Sequence, residues 1–180
     1  YTINPNQTIA TRFSTGAIFS YGNSTVAPYS EQFYVGGANS IRAFTVRSLG
    51  PGSYQPKSEK YSFIDQSGDF KLEMNVEWRF RLIKALQGAI FFDAGNIWLL
   101  NKDTNRPGGS LEELTSFKQF INQIALGSGF GIRYDLGYFV IRGDVGIGLH
   151  VPYDTGVSGY YNIPDFWKSV DFHLAIGYPF

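Results

Sequence analysis

The sequence predicts an all-β chain, part of a transmembrane antiparallel β-barrel, and three observations carry that expectation. Long segments alternate apolar and polar residues with a period of two. The connections between them alternate between long and very short. The composition holds 21 glycines, 12 tyrosines and 16 phenylalanines, a mixture suited to strands rather than helices. No apolar run reaches the roughly 18 residues of a membrane helix.

The clearest segment is FKLEMNVEWRFRL at 70–82. Phe70, Leu72, Met74, Val76, Trp78, Phe80 and Leu82 fall on one face, and Lys71, Glu73, Asn75, Glu77, Arg79 and Arg81 on the other. Five further strands follow the rule less strictly. Residues 8–21 set Ile9, Phe13, Ala17, Phe19 and Tyr21 against Arg12, Ser14 and Ser20. Residues 86–99 set Leu86, Ile90, Phe92 and Trp98 against Gln87, Asp93 and Gly95. Residues 123–135 set Ile124, Leu126, Phe130, Ile132 and Tyr134 against Gln123, Arg133 and Asp135. Residues 138–151 set Phe139, Ile141, Val145, Ile147 and Leu149 against Arg142, Asp144 and His150. Residues 170–180 set Val170, Phe172, Leu174, Ile176, Tyr178 and Phe180 against Asp171 and His173.

The connections run about 48, 3, 23, 2 and 18 residues, the rhythm of a barrel with long outer loops and tight periplasmic turns. A soluble β-sandwich would bury the same apolar faces, but it explains poorly why all six strands are long. Six strands are too few to close, since natural barrels start at about eight. The chain is therefore expected to be the C-terminal piece of a larger barrel.

Composition removes several function classes. Fifteen basic and fifteen acidic residues cancel, so nothing draws the chain to nucleic acid. Without cysteine there is no disulfide framework or thiolate metal site. An outer-membrane hydrolase would need a serine and an acid near a lipid-edge histidine. His150 and His173 instead face the lumen side, with no nucleophile motif around them.

Within the long loop at 22–69, GGANSIRAF (36–44) sets Gly36 and Gly37 before Ile41, Arg42 and Phe44. A solvated loop needs no such cluster, which reads as a segment that docks. Register offers a receptor. If Lys84, Ala85 and Leu86 form a three-residue turn, Glu77 lands opposite Asp93 on the polar face, and two carboxylates so placed require a cation or a shared proton. Arg79 on the same face is one candidate. Gly127, Gly129 and Gly131 form a period-two stripe on the lumen side; with a turn at Leu136–Gly137, Gly127 faces Gly146, and Gly148 lies next along. Such a patch admits close packing or sharp curvature. Its G-x-G-x-G spelling lies mid-strand with no helix after it, unlike a phosphate loop.

Several stretches together resemble the BamA/TamA family of outer-membrane assembly proteins. IRAF at 41–44 resembles the family's loop motif VRGF, with Ala43 in place of its glycine. FFDAGNIW at 91–98 is similar to the strand motif F-x-D-x-G, GSGFGIRYDLGYFVIRGDVGIGL at 127–149 to the penultimate hairpin, and FHLAIGYPF at 172–180 to the terminal strand. The wording is closest to the TamL-like branch. The resemblance implies that residues 8–180 are the last six strands of a sixteen-stranded barrel whose loop folds back into the lumen, behind upstream strands and POTRA domains. It implies insertion or export of client proteins, with accessory assembly proteins as further partners and no cofactor. It also implies that Arg42 clamps Glu77 and Asp93. In the same way it makes Phe172, Leu174, Ile176, Tyr178 and Phe180 an outward stripe on one side of a lateral seam, with Gly177 where the last strand bends. A passive porin is the alternative, sharing the pattern but not needing these motifs together.

Overall fold

A computed structural model describes residues 1–23, 27–56 and 62–180. The parts of the 22–69 loop at 24–26 and 57–61 lie outside the described residues. Among the described residues one antiparallel sheet runs in sequence order, β1-β2-β3-β4-β5-β6-β7. The strands are β1 (Thr2–Asn4), β2 (Gln7–Ala17), β3 (Phe70–Ile83), β4 (Leu86–Trp98), β5 (Ala125–Asp135), β6 (Val140–His150) and β7 (Val170–Ile176). β1 and β7 are the free edges. Two short helices, α1 (Ser62–Asp65) and α2 (Phe117–Asn122), stand in the long connections. No helix among the described residues is long and apolar enough to cross a membrane.

The six expected strands are present, with shifted ends. β1 is too short to show a period, and it is added as a hairpin arm on β2. β2 stops at Ala17, leaving Phe19 and Tyr21 exposed beyond it. β5 starts only at Ala125 because α2 occupies the residues before it. Ser116 caps this helix by accepting from the Gln119 amide, while the Gln119 side chain accepts from Thr115 N at 2.9 Å.

Two registers differ from expectation, each by two residues, so every side chain keeps its face. Between β3 and β4 the turn is only Lys84–Ala85, and a bulge between Arg81 and Ile83 absorbs the extra residue. Asp93 therefore pairs with Asn75, and Glu77 pairs with Phe91 rather than with Asp93. Between β5 and β6 the loop is 136–139 rather than Leu136–Gly137. Asp135 Oδ1 accepts from Gly137 N at 2.8 Å, and Gly137 takes a φ of 82°. This side-chain-capped turn sets Gly127 against Gly148 and Gly129 against Gly146, instead of Gly127 against Gly146.

The terminal stripe is also shorter than expected. Phe172, Leu174 and Ile176 are outward and exposed. At Gly177, with φ of 90°, the chain leaves the ladder after one last bond to Val140 O. Tyr178 and Phe180 then turn inward: Arg79 lies 4.4 Å over the Tyr178 ring and 5.7 Å from that of Phe180. Arg12 of β2 lies 5.3 Å from the Phe180 ring, so the sheet curls until its two sides nearly meet.

The curled sheet is apolar outside and charged inside. Met74, Phe92, Phe130, Ile132 and Leu174 are more than half exposed, whereas Glu73, Asn75, Glu77, Asp93, Arg133, Arg142 and Asp144 are buried on the concave face. Above this polar layer the loops and the outer ends of β4 and β5 form an apolar core of Val35, Ile41, Leu49, Ile97, Ala125 and Val151, flanked by Phe33, Phe44, Tyr153 and Ile163. Asn96 ties that dome to β4, donating to Gly52 O at 2.9 Å and to Gln123 O.

Candidate functional site: a loop tip docked on a charged lumen wall

Residues 36–44 form a closed knot. Gly36 and Gly37 take φ of 97° and 91°, which allows the chain to turn back at once. Gly37 N donates to Phe44 O at 2.7 Å, closing the neck, and the Ser40 hydroxyl accepts from Gly36 N at 3.0 Å. The knot presents Arg42 at its tip.

Arg42 is fully buried and uses every face of its guanidinium. Its Nε and Nη2 donate to the two oxygens of Asp93, each at 2.8 Å, a bidentate fork. Its backbone N–H adds a third bond to Asp93 Oδ2 at 3.0 Å. Nη1 donates to Glu77 Oε2. The flat side lies 3.7 Å over the ring of Phe91, the residue paired with Glu77. The structure thus brings Arg42, Glu77 and Asp93 together although the two carboxylates are diagonal neighbours rather than direct partners. The diagonal suits the fork, because Nη1 and the Nε/Nη2 edge point to different places on the wall.

The other carboxylate partners lie along the same face. Arg79 donates to Glu77 Oε1 at 2.7 Å, so local neutralisation and the loop arginine operate together. Arg133 also pairs with Glu77 at 3.0 Å and with Asp144 at 2.6 Å, and Arg142 pairs with Asp144 at 2.8 Å. Asp93 has fewer partners: beyond Arg42 it accepts from Asn75 Nδ2 at 2.8 Å. Glu77 is held by three arginines; Asp93 depends on one.

The tip is also gripped from both sides of the curl. Arg142 of β6 donates to Ala38 O at 2.9 Å and to Asn39 Oδ1. Arg12 of β2 donates to Asn39 O at 2.8 Å. Ser40 donates to Glu73, and Asn75 donates to Ser40 O at 2.8 Å. In the sequence, Arg12, Glu73, Asn75, Arg133, Arg142 and Asp144 fall on the polar face with nothing that assigns them to the tip. Their signal was parity, which fixes the side of the sheet but not reach across a curl.

The glycine patch supplies the space. A Cβ at Gly146 would overlap Arg42 O, and one at Gly127 would overlap the Ala43 methyl. Gly148 lies under the Phe44 ring, with a Cβ position 3.2 Å from it. Gly129 leaves room for Phe91, and Gly131 for the Arg133–Asp144 pair. Ala43, which replaces a glycine in the motif it resembles, is accommodated because the wall opposite lacks side chains.

A side chain at Gly146 should therefore expel the tip. Gly146→Ala is expected to expose the 22–69 loop to protease, while Gly143→Ala, whose Cβ would meet only the Phe172 ring at 3.7 Å, should leave it protected. Equal protection of both variants would show that the patch does not seat the loop.

Comparison with known proteins agrees with this architecture. The chain is 25% identical over 133 residues to the outer membrane protein assembly factor BamA of Neisseria meningitidis serogroup B, a match covering 66% of this chain and 16% of that protein. The matched region is thus a small part of that relative's length. The model of the Omp85 superfamily domain matches residues 1–180. The chain belongs to the Omp85 superfamily, and with its BamA relative this places it in the outer membrane of a Gram-negative bacterium.

Proposed function

We propose that this chain is the C-terminal wall of an outer-membrane barrel that inserts or exports client proteins without enzymatic chemistry, with its loop tip clamped in the lumen by Arg42. The observation that carries the reading is the buried Arg42–Asp93–Glu77 fork. A conducting pore gains nothing from filling its lumen with a knotted loop and a dense ionic layer. An assembly barrel does gain, because a plugged, rigid lumen keeps the membrane sealed while the wall deforms. Upstream strands and POTRA domains of the same protein complete the reading. Its support is the pair of free edges at β1 and β7 beside an exposed apolar outer face, since unpaired strand edges are not left in lipid.

The seam belongs to β7. Its ladder with β6 ends at Ile176 and its tail is diverted at Gly177, so little of the strand remains to hold a partner on its far side. A short junction opens at lower cost than a full-length one. Cysteine pairs joining β7 to the barrel's first strand should block client assembly and leave the barrel folded; full activity in the locked state would remove the seam from the mechanism.

The clamp has its own test. Truncating one member of a buried charged pair costs about 3–5 kcal/mol, and Arg42 is fully buried. Arg42→Ala should free the loop to protease and impair assembly of client proteins in cells. Arg42→Lys should recover only part of this, since an ammonium cannot fork onto Asp93 and reach Glu77 together. The rescue should be selective. Asp93→Asn should offset Arg42→Ala more than Glu77→Gln does, because Glu77 keeps Arg79 and Arg133. Wild-type assembly by Arg42→Ala, with the protein at normal abundance, would refute the clamp.

A further inference from the structure

The 99–124 connection does something its polar start does not suggest. Lys102, Asp103, Asn105 and Arg106 form a polar arm, with Arg106 bound to Asp103 at 2.8 Å and to Ser67 O at 3.2 Å. The chain then returns to the rim of the wall as α2, with His150 Nε2 2.7 Å from Asn122 O on its inner side. Phe120 stacks on Trp98 with ring centroids 5.1 Å apart, and Trp98 meets Phe70 across the β3–β4 ladder at 5.9 Å. Phe117 extends the row, 6.3 Å from Phe120. Trp98 is fully buried beneath this cover, its indole N–H donating to Gln123 at 2.7 Å. The helix that covers it keeps Phe117 77% exposed and Ile121 36% exposed. A loop meant only for water would turn its aromatics inward, against the apolar dome at hand.

Position along the wall says what these side chains meet. From Leu82 to Phe70, β3 rises roughly 40 Å along its axis and, at the usual tilt, about 30 Å across a membrane. The apolar band of a barrel is about 25 Å tall. Phe70 and Trp98 therefore stand at its outer border, and α2 lies where acyl chains give way to headgroups. The exposed face of α2 is continuous with the outward belt of the strands through the row Phe70, Trp98, Phe120, Phe117. Lys118 is the one charged residue of the helix and is exposed beside Phe117, a cation where anionic headgroups lie. Phe166 and Trp167, 54% and 81% exposed, hold the equivalent place just before β7.

We infer that α2 is an interfacial lipid anchor: Phe117 and Ile121 enter the acyl chains of the outer leaflet, and the helix rests on the rim of the barrel wall. The anchor ties the outer end of β4 to the membrane plane through Trp98 and, through Gln123, to the loop dome: Gln123 donates to Ser53 and Gly108 O, both at 3.4 Å. Aromatic rings suit such a border, and a short amphipathic helix lying in it requires no further partner.

The test places a nitroxide on Phe117→Cys in the full-length protein reconstituted in phosphatidylcholine vesicles, with Lys102→Cys as the aqueous control. Oxygen collects in the acyl region and a nickel chelate stays in water, so the ratio of the two accessibilities reads depth. At position 117 oxygen should exceed the chelate several-fold, and at 102 the order should reverse. Ile121→Cys should follow 117. A label at 117 more open to the chelate than to oxygen would place the helix in water. One shielded from both would mean that another protein segment covers it. Either outcome overturns the inference. The native side chain at 117 is already exposed, so the substitution leaves the fold intact, which retained resistance of the barrel to heating in detergent would verify.

Discussion

A guanidinium without solvent, at membrane depth, has to be neutralised where it sits, and every major feature of this lumen follows from that requirement at Arg42. Desolvating a charge costs several kcal/mol, recovered only by close and complete pairing. Asp93 takes the fork, Glu77 takes the remaining nitrogen, and Phe91 covers the flat face. Each acceptor then needs its own balance. Asn75 serves Asp93, while Arg79 and Arg133 serve Glu77. Arg133 in turn shares Asp144 with Arg142, which reaches back to the loop tip at Ala38 and Asn39. The chain of charges is closed, beginning and ending on the same knot.

Such closure demands room at fixed places. β5 and β6 supply it as paired glycines, Gly127 with Gly148 and Gly129 with Gly146, just where Ala43, Phe44 and the Arg42 carbonyl come down. The same glycines weaken a sheet and let it curl. Space for the loop and curvature of the wall therefore come from one set of residues. The curl brings Arg12 of β2 and Arg142 of β6 within reach of one residue, Asn39, the first at its carbonyl and the second at its side-chain oxygen.

The faces of the sheet were legible in the sequence because strand parity survives any even slip of register, and both registers slipped by two. Parity thus puts Glu77 and Asp93 on one polar face although their direct pairing is misplaced, while Arg42 as their partner is legible only through the family resemblance. The turns themselves were not legible. A bulge between Arg81 and Ile83 and an Asp135-capped loop each follow from local geometry that periodicity does not encode. Tyr178 and Phe180 continued the outward alternation, yet Gly177 turns them inward; the pattern of a strand says nothing about where its ladder stops. α2 was hidden for a different reason. Six residues are too few to show a helical period, and Phe117 and Phe120 gain their meaning only from Trp98.

The claim beneath all of this is that the 36–44 knot is seated on the wall in the intact protein. Hydrogen–deuterium exchange on the full-length protein in lipid reads that seat at one group, the Arg42 amide, which donates to Asp93 Oδ2 at 3.0 Å. The account predicts protection of this amide comparable to that of β3 and β4, and its loss when Asp93 is replaced by alanine. Exchange at Arg42 as fast as in the exposed arm around Lys102 would contradict it.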